Sequence, residues 1–184
     1  MFFGLTEEQE MIVGTVRSFV ENEIYPHENL VESKGSVPTE IAQDIKQKCI
    51  NLGFYACNFP ENIGGAGLNH LDFALVEREL GRGSMALTHF FGRPQNILMA
   101  CKDEQIEKYL LPAVRGDLMD ALAMTEPDAG SDVRGMKCFA KSEGSDWIVN
   151  GTKHFISGAE HADFIIVFIA TGEEQTEKGP KKKI

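Results

Sequence analysis

Apolar residues recur at helical spacing through roughly the first 115 positions, and at strand spacing afterwards. Ile12, Val16, Phe19, Val20 and Ile24 trace one helical face. A capping box of Thr6 and Gln9 opens that helix, and Pro26 is expected to break it. A second helix has Pro38 placed for its first turn, Ile41, Ile45, Cys49 and Leu52 inward, and Gly53 as its stop. After the Pro/Gly-rich loop in "FYACNFPENIGGAGLNH", a third helix starts from Asn69 and runs through Phe73, Val76 and Leu80 to Gly81. A fourth element spans about 84–101, interrupted by Gly92 and Pro94. Asp103 is expected to cap a fifth helix through Ile106, Tyr109 and Leu110, ending near Pro112 or Gly116.

Beyond Gly116 the segments "LMDALAMTE", "GMKCFAKSE", "DWIVNGTKHFIS" and "ADFIIVFIATG" have strand length and are bounded by turn residues. Asn150-Gly151 predicts a hairpin joining "DWIV" to "TKHFI". "FIIVFIA" lacks alternation, which predicts a strand buried on both faces. The reading is α+β: an all-α domain over residues 1–117, then the first strands of an antiparallel β domain over 118–184. Four strands leave apolar faces and sheet edges open, so the β half reads as incomplete. The final "TGEEQTEKGPKKKI" reads as a loop internal to a larger domain, with "KKK" solvated.

Charge narrows the partners. The net charge is −10, from 28 acidic and 18 basic residues, and such a surface repels nucleic acid and anionic lipid. Cys49, Cys57, Cys101 and Cys138 form no C-x-x-C pair, and the five histidines form no H-E-x-x-H. The reading is therefore free, mostly buried thiols and no metal site. No apolar run reaches the ~18 residues of a membrane span. The N-terminal "MFFGLTEEQE" has neither the basic region of a signal peptide nor the Arg/Ser bias of a transit peptide, so a cytoplasmic address is expected.

The candidate chemistry lies in "MTEPDAGSD", residues 124–132. Pro127 fixes φ, Gly130 admits a conformation closed to other residues, and Thr125 and Ser131 offer hydroxyls. Glu126, Asp128 and Asp132 share the stretch, with no Lys or Arg before Arg134. A bare phosphate site is not built this way, and a large ligand of mixed polarity held by neutral hydrogen bonds fits better. Residue types alone favour an ordinary polar turn between strands.

The whole chain resembles the N-terminal half of an acyl-CoA dehydrogenase. The resemblance runs from residue 5 to 171, through "LTEEQEMI", "FPENIGGAGLNHLDFALVERELGR", "DEQIEKYLLPAVRGDLMDALAMTEPDAGSDV" and "WIVNGTKHFISGAEHADFIIV". It implies a flavoprotein that uses FAD. The stretch Leu122 to Ser131 would line the cofactor, with Met124 and Thr125 facing the isoalloxazine. Gly130 falls in the same stretch, and Ser131 would contact the pyrophosphate or the acyl-CoA. Phe155, Ile156 and Ser157 would cover the flavin ring. Many relatives carry Trp at the position of Phe155, but an aromatic body is kept. Without the resemblance, Phe155 reads as core packing and Ser157 as an edge-strand hydroxyl.

The reaction implied is α,β-dehydrogenation of an acyl-CoA thioester, with hydride passing to FAD. The implied acceptor is electron-transfer flavoprotein, and the full-length protein is implied to be a homo-oligomer. The family's catalytic base lies beyond the matching region, so no catalytic residue is named. An acyl-CoA oxidase or flavin monooxygenase of the same architecture shares these features, as does a truncated, non-catalytic paralogue acting as a binding module. Phe90 and Phe91 would either shorten an acyl pocket or belong to the core. The isolated 184-residue chain is expected to be inactive and colourless after desalting.

Overall fold

The computed structural model describes residues 4–176 and 179–184. The chain divides into two compact units, Met1–Asp117 and Leu118–Ile184.

In the first unit α1 (Glu7–Phe19) opens with both halves of the Thr6/Gln9 capping box. Gln9 does more than cap: its Oε1 accepts from the Thr6 N–H at 3.1 Å, while its Nε2 donates to Asp72 Oδ1 at 2.9 Å. The helix does not break at Pro26. A π-helical turn, Val20–Ile24, leads directly into α2 (Tyr25–Lys34), where Pro26 occupies the first turn. The wider turn absorbs the obstacle, because the Tyr25 N–H reaches back five residues to the Val20 carbonyl and the proline needs no donor there.

Helix α3 (Thr39–Asn51) has Pro38 as its cap residue. Ile45 and Cys49 are buried, but Leu52, expected inward, lies past the last turn and is 48% exposed. Helix α4 (His70–Leu80) is capped by Asn69, whose Oδ1 accepts from the N–H groups of Leu71 and Asp72. Glu79 on α4 is 2% exposed, with Arg17 of α1 at 3.0 Å and Arg78 at 2.8 Å. The Arg17 hydrogen bond outweighs desolvation and holds the Glu79 carboxyl below its usual range.

The interrupted fourth element is α5 (Met85–Thr88) followed by 3-10 turns at His89–Phe91 and Asn96–Ala100. Phe91 is fully buried and meets Phe19 edge-on at 5.2 Å, so it belongs to the core. Asp103 does not act as the expected cap. It takes φ 49°, and Gln105 Oε1 accepts from the Lys102 N–H instead. A π-helical turn, Ile106–Leu110, then runs into α6 (Leu111–Arg115).

The second unit pairs its strands two by two: β1 (Asp120–Ala123) with β4 (Phe164–Val167), β2 (Phe139–Glu143) with β3 (Asp146–Asn150), and β5 (Gly172–Thr176) with β6 (Gly179–Lys183). Two pairs are antiparallel, but β1 and β4 run parallel, so the unit is not wholly antiparallel as expected. The hairpin turn also lies elsewhere. β2 and β3 join at Gly144-Ser145, where Glu143 faces Asp146, and "TKHFI" forms no strand.

Gly151 is required for a different reason. It holds φ +139°, and a Cβ there would lie 2.1 Å from the Cys138 Sγ. Burial raises the Cys138 thiol above its usual range, consistent with an inert packing role.

The strand β4 is not buried on both faces, since Ile165 and Val167 are 47% and 44% exposed. The tail expected as loop is the β5–β6 hairpin, in which Glu173 and Glu174 face Lys182 and Lys181. Lys182 Nζ donates to the Met136 carbonyl, so that part of "KKK" is anchored to the unit. Ala129, Met136 and Ala170, flanked by Val133 and Phe168, form a small core in this unit. Among the described residues no helix is long and apolar enough to cross a membrane.

Candidate functional site

The site is built at the end of β1, within the second unit. Ala121 and Ala123 point inward, while Leu122 is half-buried and registers against Ile166 of β4. The chain leaves the strand at Met124 and closes a tight turn, with the Glu126 N–H donating to the Ala129 carbonyl at 2.9 Å and Ala129 returning one at 3.3 Å. Pro127 stands at the second turn position, where its fixed φ suits the bend. Gly130 does not adopt the positive φ expected of it, and a Cβ added there would meet nothing within 4 Å.

The segment after β3 returns alongside this loop. Lys153 Nζ donates to the Met124 carbonyl at 3.0 Å and to Glu126 Oε1 at 2.7 Å. The next residue, His154, gives its backbone N–H to the Thr125 carbonyl at 3.0 Å. Glu126 also accepts from the N–H groups of Lys137, at 2.5 Å, and Cys138, at 3.0 Å. One carboxylate therefore ties together the loop, the approach to β2 and the segment after β3.

The pair is buried, with side-chain exposures of 9% for Lys153 and 2% for Glu126. Burial opposes the charge on Glu126, but Lys153 and the two backbone N–H donors win, and its pKa falls to about 2. Glu126 is thus an anion held by its neighbours, unsuited to accept a proton near neutrality. Asp128 pairs with Lys137 at 2.7 Å, in solvent, where such a contact adds little stability.

Among the expected site residues, Met124 and Thr125 are brought beside residues 153 and 154. Phe155 follows at φ 54°, 86% exposed, with its ring 4.2 Å from that of His154. An aromatic residue held at positive φ and left in solvent is strained, and strain of this kind collects at ligand sites. Ile156 is half-buried, and its carbonyl accepts from the Ala159 N–H. Gly130, Ser131 and Ser157 are exposed. Among the described residues no hydrogen bond or ring contact joins Gly130 or Ser131 to residues 155–157.

The donor set suits a large ligand of mixed polarity. Among the described residues, nothing accepts from the N–H groups of Met124 and Thr125 or engages the hydroxyls of Thr125, Ser131 and Ser157. Their neighbouring carbonyls, by contrast, are occupied. Glu126 and Lys153 are the pair that sequence reasoning did not assign. The link joins positions 27 apart, and neither residue carries a local signal of burial.

Comparison with known proteins places the chain in context. Residues 6–117 match the family model "Acyl-CoA dehydrogenase, N-terminal domain", and residues 121–183 match "Acyl-CoA dehydrogenase, middle domain". A 3-(aryl)acrylate reductase of Clostridium sporogenes is 37% identical over 184 residues, covering 97% of this chain and 47% of that protein. The caffeyl-CoA reductase-Etf complex subunit CarC of Acetobacterium woodii is 32% identical over 185 residues, covering 97% and 47%. The solved FAD complex of PigA superposes with a TM-score of 0.76 at 29% identity, covering 100% of this chain and 50% of that one. The chain thus spans about half the length of the curated relatives it matches.

Proposed function

The chain belongs to the acyl-CoA dehydrogenase family, and we propose that it supplies part of the FAD and substrate site of an enzyme that dehydrogenates an acyl-CoA thioester between its α and β carbons. One observation carries this reading. Lys153, His154 and Glu126 draw the loop of Met124 and Thr125 against the segment leading to Phe155, and the loop keeps neutral donors to spare.

When bound, FAD supplies an acceptor for the hydride that leaves the β carbon. This chain's residues bind and orient. The N–H groups of Met124 and Thr125 and the Thr125 hydroxyl would donate to the polar edge of the isoalloxazine. Phe155 would lie against the ring, and Ile156 and Ser157 would continue that cover. Gly130, whose missing Cβ leaves open space, and Ser131 would meet the pyrophosphate or the acyl-CoA. Leu122 would support the loop from β1. None of these residues carries a proton in the reaction.

The Etf-complex relative supports electron-transfer flavoprotein as the acceptor, and the proposed full assembly is a homo-oligomer in the cytoplasm. FAD binding to the purified chain, followed by flavin fluorescence anisotropy, tests the reading. Saturable binding that is lost on desalting is expected of a partial site. Anisotropy that stays flat as the chain is added up to millimolar concentration rejects it.

A further inference from the structure

We infer that Lys153 is a positioning residue that aims the Thr125 N–H at the cofactor, with Glu126 holding Lys153 in place; this rests on the flavin reading above. The lysine does more than balance a buried carboxylate. Its Nζ divides between Glu126 Oε1 at 2.7 Å and the Met124 carbonyl at 3.0 Å. In a trans peptide the C=O of one residue and the N–H of the next point in opposite directions. Holding the Met124 carbonyl toward Lys153 therefore turns the Thr125 N–H the other way.

The following peptide is fixed at both ends. The Thr125 carbonyl accepts from the His154 N–H at 3.0 Å, and the Glu126 N–H is used by the Ala129 carbonyl at 2.9 Å. Every polar group of these two peptide units is then engaged except the Thr125 N–H. A donor pre-aimed in this way loses little freedom when a ligand arrives. Glu126 is itself held by the Lys137 and Cys138 N–H groups, so the lysine cannot follow a mobile partner.

The test separates aiming from mere support. In the 184-residue chain, Lys153→Met strands Glu126, whereas the double variant Lys153→Met with Glu126→Gln removes both charges and leaves a neutral pair of similar volume. The double variant is expected to stay folded, with a urea midpoint, followed by Trp147 fluorescence, above that of Lys153→Met, yet to bind FAD about tenfold more weakly than wild type, the loss of one well-aimed hydrogen bond. Its amide spectrum should change at Thr125 while residues of β2 and β3 stay in place. FAD affinity and a Thr125 amide both unchanged in the folded double variant overturn the inference.

If the wild-type chain binds no FAD, the flavin reading fails. The amide spectrum alone then decides the clamp: a shifted Thr125 resonance upholds it, and an unmoved one rejects it.

Discussion

Replacing Glu126 with Gln removes the charge that Lys153 faces while keeping the shape of the side chain. The amide oxygen in the place of Oε2 can still accept from the Lys137 and Cys138 N–H groups, but the amide NH2 then takes the place of Oε1 and faces Lys153. Lys153, with a 9% exposed side chain, would keep only the Met124 carbonyl. Stranding one partner of a buried ion pair costs about 3–5 kcal/mol.

The titration of Glu126 gives an independent figure. A carboxyl with an ordinary value of 4.5 in the unfolded chain and about 2 in the folded one contributes roughly 3 kcal/mol near neutrality. The sign is that of a depressed acid: the contribution is complete above about 4.5 and is lost as the pH falls toward 2. Some access of solvent to Lys153 argues for a value at or just below the smaller of these figures, about 2–3 kcal/mol.

Trp147, the chain's one tryptophan, lies on β3 and reports on this unit. With a urea slope of about 1 kcal/mol/M for so small a unit, the midpoint should fall by roughly 2–3 M, or the unit should already be unfolded without urea. The difference between the two proteins should also shrink between pH 5 and pH 3, as the wild type loses its advantage. A midpoint within about 0.3 M of wild type at pH 7, with an unchanged slope, would refute the account of Glu126 as the unit's buried tie.

Three further outcomes follow from single positions. Gly151→Ala should lower the stability of the β unit by more than about 2 kcal/mol, because its Cβ would lie 2.1 Å from Cys138 Sγ at φ +139°; a melting temperature within 2 °C of wild type speaks against that packing. Thr6→Ala should cost the helical unit about 1 kcal/mol by opening the capping box, read by thermal circular dichroism, and a loss under about 0.3 kcal/mol would mean that Gln9 Oε1, accepting from the N–H of residue 6, does the capping work alone. Phe155→Asn should leave stability equal or raise it by up to about 1 kcal/mol, since Asn tolerates the φ of 54° and the ring is 86% exposed; a fall above 1 kcal/mol would show that the ring packs in the folded chain.

The helical unit was legible because its signals are local. Thr6 with Gln9, Asn69 before α4, and the face of Ile12, Val16, Phe19, Val20 and Ile24 each lie within a few turns of what they specify. The differences there concern Pro26, which a π-turn accommodates, Leu52, which falls just past the end of α3, and Asp103, whose place at the helix start is served by Gln105. In the β unit the strand segments were legible and their pairing was not. Asn150-Gly151 has the residues of a hairpin turn, but Gly151 answers to Cys138, thirteen positions earlier, and the turn fell to Gly144-Ser145. Pairing energy comes from side chains brought together by the fold, so a two-residue signal cannot rank the alternatives.

The acidic character of "MTEPDAGSD" takes on a different meaning once its partners are known. Read along the chain, three carboxylates argue against an anionic ligand. In the fold, Glu126 is neutralised by Lys153 and Asp128 by Lys137, both from outside the stretch. Those two charges therefore serve the shape of the loop, Asp132 stays exposed beside it, and the donors the loop leaves free are neutral: the N–H of Thr125, its hydroxyl, and the hydroxyl of Ser131. Neutral donors distinguish ligands by the geometry of their acceptors more than by net charge. That is the discrimination a flat heteroaromatic edge requires, which is the part of the proposed flavin that this loop would meet.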